Sequence, residues 1–297
     1  MKTTKALPVL AVALCVPGVV LRALHVLNGF DIATGLPRAG DAWIWYFTAL
    51  LVAGAVAYVV LAAPLRAKKT VPFEQLLGTQ SPGFRMAAVI SGLLLFAGGL
   101  FYLYLTITTV EEDAAAWARA LEIVYSAVSV GCGFSMIALA KAQGSPITSQ
   151  SAKLTLVPLI WSCLHLLVNY RMTCVDPKLP SFAFGLVADV MLVIAFYHLA
   201  RLLYGKPRPA SLAFFSAAAI TMAVSDIGGV ALSYLMGVDV LDWSGKMLLR
   251  GGMSAAACGV LGGELAVPCS RPAPPQGRPR PPRAPPPHKS DRSHVVL

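Results

Sequence analysis

Trp161, His165 and Asn169 recur every four residues through the run 159–171, LIWSCLHLLVNYR, a spacing that puts an indole, an imidazole and a carboxamide on one face of a helix. The rest of the run is largely apolar, so this face has to look toward other helices or a cavity, because hydrocarbon offers it no hydrogen-bond partner. Imidazole changes charge near neutrality, and burial disfavours the charged form of a carboxylate. A carboxylate brought beside His165 could therefore exchange a proton with it. Asp189, Asp226 and Glu122 are the candidates, and Arg22, Arg119 and Arg250 are the counter-charges available to them. Counted along their runs at about 1.5 Å per residue, these residues and His25 fall in the same half of a membrane. The charged members read as three arginines facing three carboxylates. Such a layer is either a fixed network that sets helix register or the wall of a polar pocket, in which Asp189 or Asp226 titrates against His165 as a small solute moves.

The elements that must position these groups follow from composition. The 297 residues are 57% hydrophobic and only 13% charged, where soluble domains carry about 25% charge. Apolar runs of spanning length occur at 6–27, 43–63, 86–108, 115–140, 154–171, 181–203, 211–236 and 247–267. None alternates with period two, which excludes a β-barrel reading. The expected fold is all-α, a polytopic transmembrane bundle of about eight helices over residues 1–267. Residues 268–297, rich in Pro and Arg, cannot bury a core and are expected to form a disordered, partly polyproline II tail. The first run, preceded by Lys2 and Lys5, resembles a signal peptide. It is longer than a signal core and lacks an A-x-A site, so an uncleaved helix is expected.

The net charge of +10 is explained by topology rather than by nucleic acid. Eleven Lys and Arg residues lie at the N-terminus or in the loops after the second, fourth and sixth runs, against four (Arg38, Arg171, Lys178 and Lys246) in the other loops. The positive-inside rule then puts both termini in the cytoplasm of a cell-membrane protein. Asp31, Asp41, Glu111, Glu112, Asp113, Asp176, Asp239 and Asp242 collect in the outward loops, at 28–42, 109–114, 172–180 and 237–246. Trp43, Trp45, Trp117 and Trp243 form an outer aromatic belt. Expected partners are the bilayer, anionic headgroups at the basic loops and tail, a small solute and a second membrane protein.

Arg119 and Glu122, at i, i+3, are expected to pair with each other. The six cysteines show no C-x-x-C pair and read as small core residues, not as disulfides or metal ligands. There is no H-E-x-x-H, G-x-S-x-G or Walker loop, and the reading assigns no catalytic residue, metal or cofactor. Gly251, Ala255, Gly259 and Gly263 make a small-residue stripe for close helix packing within the bundle. Short likenesses between halves suggest a four-plus-four parallel repeat with a site at the repeat interface: 24–28 with 164–169, Tyr58 with Tyr197, and Gly98-Gly99 with Gly228-Gly229.

After the first run, Asn28-Gly29 reads as a helix stop, with Asp31 or Thr34 bonding nearby backbone. Arg22 followed by Phe30-Asp31-x-x-Thr34-Gly35-Leu36-Pro37 resembles a pattern in uncharacterised multipass membrane proteins of anaerobic Gram-positive bacteria. The resemblance covers little over a tenth of the chain and implies a bacterial inner-membrane protein with no function to carry over. The residues themselves favour a transporter-like protein with an outward-facing polar pocket. The alternatives are a non-catalytic sensor or accessory subunit and, more remotely, an intramembrane enzyme using His165 and Asp189.

Overall fold

The computed structural model describes residues 2–31, 34, 36–68, 82–109, 116–142, 153–174, 179–204, 206, 208–238 and 244–270. Beyond Ser270 the Pro/Arg-rich tail lies outside the described residues, as do most of the basic loop 64–85, Trp243 and the acidic residues Glu111, Glu112, Asp113, Asp176, Asp239 and Asp242.

The chain is an all-α bundle, with eight helices among the described residues. They are α1 (Lys2–Asn28), α2 (Trp43–Ala62), α3 (Pro82–Thr108), α4 (Ala116–Ala142), α5 (Leu156–Thr173), α6 (Leu179–Leu203), α7 (Pro209–Leu235) and α8 (Gly245–Ser270). A 3-10 stretch, Ala63–Lys68, follows α2. Six helices are long and apolar enough to cross a membrane; α5 and α8 are the two that are not. These two carry His165, Asn169 and Arg171, and Lys246 and Arg250, and these polar side chains lower their apolar content. The outward face fits a hydrocarbon surround. Val9, Val12 and Val16 on α1, and Val52, Val56 and Val60 on α2, are all exposed. Exposed apolar residues in such rows are costly in water and favourable in lipid. The protein is membrane-embedded.

The middle of the packing is α7, which packs against α1, α2, α6 and α8. Its buried face is built from small side chains, among them Ala217, Ala219, Ala223, Ser225 and Gly229. Such residues let backbones approach closely, the means of association available to helices in lipid. A Cβ on Gly229 would lie 2.5 Å from Arg22 Cβ, so glycine here lets α1 settle close enough to bring Arg22 beside Asp226. On α3 and α4, Gly92 and Gly133 make a comparable approach: a Cβ on Gly133 would lie 2.6 Å from Gly92 O.

Two expectations about packing change. The halves do not pack alike: α1 lies along α7, while the corresponding α5 and α3 are not a packed pair. Gly99 approaches Val130 on α4, but its supposed counterpart Gly229 meets α1 instead of α8. Among the described residues the helix contacts therefore do not follow a parallel four-plus-four arrangement. Gly29 ends α1 without the left-handed turn its position suggested, since the described glycines with positive φ are Gly40 and Gly237. A Cβ at residue 29 would instead sit 2.5 Å from Asp41 Oδ2, so close approach is what requires glycine. The following turn closes with Phe30 bridged to Pro37 and Thr34 Oγ1 donating to Asp31 Oδ2 at 2.9 Å.

Candidate functional site

The period-four face of α5 is intact and buried. Trp161 stacks on His165 at 5.0 Å and donates its Nε1–H to Ser129 Oγ at 2.9 Å. His165, 0% exposed, is held from both sides: Nδ1 lies 2.8 Å from the Tyr125 hydroxyl on α4, and Nε2 lies 3.3 Å from Asp189 Oδ1 on α6. Asn169 donates to Asp189 Oδ2 at 2.6 Å and its Nδ2 is 3.1 Å from His165 Nε2. Arg250 Nε donates to Asn169 Oδ1 at 2.6 Å. Arginine has no acceptor, so the amide oxygen must face it and the amide nitrogen must face Asp189 and His165.

This geometry has two proton loadings. With Asp189 ionised and His165 neutral, Nε2–H donates to the carboxylate and Nδ1 accepts from Tyr125. One added proton gives either an imidazolium between Asp189 and the Tyr125 oxygen, or a protonated Asp189 with Nε2 as acceptor and Nδ1–H turned to Tyr125.

The remaining charges form two direct pairs. Arg22, 1% exposed, bonds Asp226 Oδ1 through Nε at 2.8 Å and Ser181 O and Oγ through Nη2 at 2.8 and 3.2 Å. Its Nη1 lies 2.8 Å from His25 Nδ1. Because that nitrogen must accept, the ring proton of His25 sits on Nε2, which faces Asp41 Oδ2 at 3.6 Å. Asp41 also accepts from the first backbone amides of α2, Trp43 N and Ile44 N. The second pair is Glu122 with Lys246, Oε2 to Nζ 3.0 Å, with Thr106 donating to the same oxygen at 3.3 Å.

The expected pairing of Arg119 with Glu122 is overturned. Arg119 is exposed on α4 and contributes nothing to the layer, and Lys246 takes its place as the third cation. Residues i and i+3 share a face only approximately, and one further step of rotation turns Arg119 outward. Sequence reasoning also left out Tyr102, Tyr125, Ser254 and Lys246. Tyr102 joins the layer from α3, its hydroxyl accepting from Arg250 Nη1 at 3.0 Å. The rule applied to α5 would have found two of these, Lys246 and Ser254. Lys246, Arg250 and Ser254 recur every four residues on α8, as do Ser181, Gly185 and Asp189 on α6.

Beside the layer lies a half-open cavity. Its walls are His165, Asn169 and Thr173 of α5, Phe182, Gly185, Leu186 and Asp189 of α6, Ala223, Asp226 and Ile227 of α7, and Met247, Arg250, Gly251 and Ser254 of α8. All four helices belong to the second half of the chain, so the cavity does not lie at an interface between repeats. Of the sequence candidates, His165, Asn169, Asp189, Asp226 and Arg250 line it, Arg22 and Glu122 stand in the buried layer that adjoins it, and Arg119 does neither. Gly259 of the small-residue stripe packs toward α3, where an added Cβ would lie 2.6 Å from Ser91 Oγ. Compared with protein-family models, with curated proteins and with solved structures, the chain finds no match in any of the three.

Proposed function

We propose that the protein binds a small solute in this cavity from the outer side of the membrane, and that proton exchange at Asp189 and His165 accompanies binding or movement of the solute. The observation that carries the reading is the bonding of Asp189. Among the described residues it is the carboxylate of the buried layer with no Arg or Lys nitrogen within 4 Å, and it bonds His165, Asn169 and Ser254 instead. A carboxylate locked to a guanidinium has little freedom to accept a proton. One that faces an imidazole in a cavity wall can change charge at modest cost, which is what coupling a solute to a proton gradient requires. The outward opening rests on the eleven-to-four basic asymmetry, which puts both termini in the cytoplasm.

The test uses proteoliposomes loaded with a pH-sensitive dye, under an imposed pH gradient. The panel comprises amino acids, aliphatic amines, carboxylates and sugars, added one at a time. At least one class should change the rate of proton movement. If none does while the purified protein still binds a panel member, the protein is a sensor or accessory subunit and the transport reading fails. Orientation is checked separately by introducing Lys69→Cys and applying an impermeant thiol reagent to intact cells; labelling there would reverse the topology.

A further inference from the structure

Two opposite charges line the same cavity, each with one bonding end left over. Arg250 spends Nε on Asn169 and Nη1 on Tyr102, and its Nη2 has no hydrogen-bond partner among the described residues although the side chain is 2% exposed. Asp226, 5% exposed, gives Oδ1 to Arg22, and its Oδ2 likewise has no hydrogen-bond partner. Neither atom is wholly shut off from open space. Arg250 and Asp226 stand on the packed helices α8 and α7 yet form no ion pair with each other. A charged donor and a charged acceptor left open in so buried a place each forgo a charge-assisted bond.

From this we infer that the cavity takes a zwitterion of the α-amino-acid type, its carboxylate received by Arg250 Nη2 and its ammonium by Asp226 Oδ2. The inference rests on the pocket reading above and names the class of solute. Charge balance points the same way. The layer already holds three cations, Arg22, Lys246 and Arg250, against three carboxylates, Asp226, Glu122 and Asp189. A solute of net charge would leave one charge uncompensated within the bundle, where that is costly, whereas a zwitterion adds none. The apolar part of the wall, Phe182, Leu186, Ile227 and Met247, suits an aliphatic side chain. Gly185 completes the arrangement: a Cβ there would lie 2.9 Å from Asp226 Oδ2, so only glycine leaves that oxygen open to a ligand.

The test is calorimetric and thermal-shift binding on the purified full-length protein with L-alanine, L-valine and L-leucine. Two near-isosteres of leucine that keep one charged end each, 4-methylpentanoate and 3-methylbutylamine, are measured alongside. At least one amino acid should bind, and more tightly than its single-ended counterparts by at least about tenfold, because a site built for two charged ends leaves one of them unpaired with each analogue. Gly185→Ala, which removes no charge, should weaken amino-acid binding by about the same factor and change 4-methylpentanoate binding little. Equal affinity for either single-ended analogue, or no binding of any of the three amino acids, overturns the inference. Proton movement driven by carboxylates or amines alone would keep the pocket reading and remove the zwitterion. Amino-acid binding without proton movement would keep the zwitterion and its pocket and remove the proton coupling.

Discussion

Glu122 and Asp189 are both buried carboxylates of one polar layer, and they are bonded in opposite ways. Glu122 meets an ammonium directly at 3.0 Å, while Asp189 is linked to the Arg250 guanidinium through the carboxamide of Asn169. A direct ion pair between helices fixes their rotation and holds both charges; a carboxylate buffered by an amide, a hydroxyl and an imidazole can gain or lose a proton and remain bonded. The Arg22–Asp226 pair is of the first kind on its Oδ1 side and open on its Oδ2 side. On the proposed reading, pairing separates the charges that hold the bundle from those that respond to a ligand.

That separation can be broken one charge at a time. Arg22→Met should have the largest effect, because it strands Asp226 and cuts the link from α1 to Ser181 on α6. Breaking a buried pair costs about 3 to 5 kcal/mol, seen as a lower unfolding midpoint in detergent, and Asp226→Asn in the same chain should recover much of it. Glu122→Gln keeps a hydrogen-bond acceptor and leaves a Lys246 that can extend toward the membrane surface. Its cost should be about 1 to 3 kcal/mol. Gly259→Leu, which forces α8 away from Ser91 on α3, should fall in the same range, about 1 to 3 kcal/mol by overpacking, and an unchanged midpoint would remove the stripe as a packing face. Asp189→Asn should change the midpoint least, by about 1 kcal/mol or less, since Asn169 can still donate to an oxygen kept at the Oδ2 position while the new amide nitrogen, at the Oδ1 position, can donate to His165 Nε2 or Ser254 Oγ. A loss comparable to that of Arg22→Met would make Asp189 a structural charge like Glu122.

The helices were legible because a bilayer demands runs of about 20 apolar residues, and each span found at 6–27 through 247–267 is a helix here. The face of α5 was legible because Trp161, His165 and Asn169 are polar where lipid forbids it. Depth could also be counted, and it brought Asp189 to His165. Rotation could not. Arg119 and Glu122 lie at one depth, yet Arg119 points out of the bundle and Lys246, assigned to a loop from its place at the helix start, turns in. Nor does a single chain reveal which oxygen of Asp226 is spent, because that depends on the α1–α7 approach permitted by Gly229.

The most direct test compares the wild-type chain and Asp189→Asn in dye-loaded proteoliposomes under the same pH gradient and the same solute panel. The account predicts solute-dependent proton movement in the wild type and its loss in Asp189→Asn, with the variant folded and its thermal midpoint close to the parent's. Equal proton movement in the two proteins, or none in either, would contradict it.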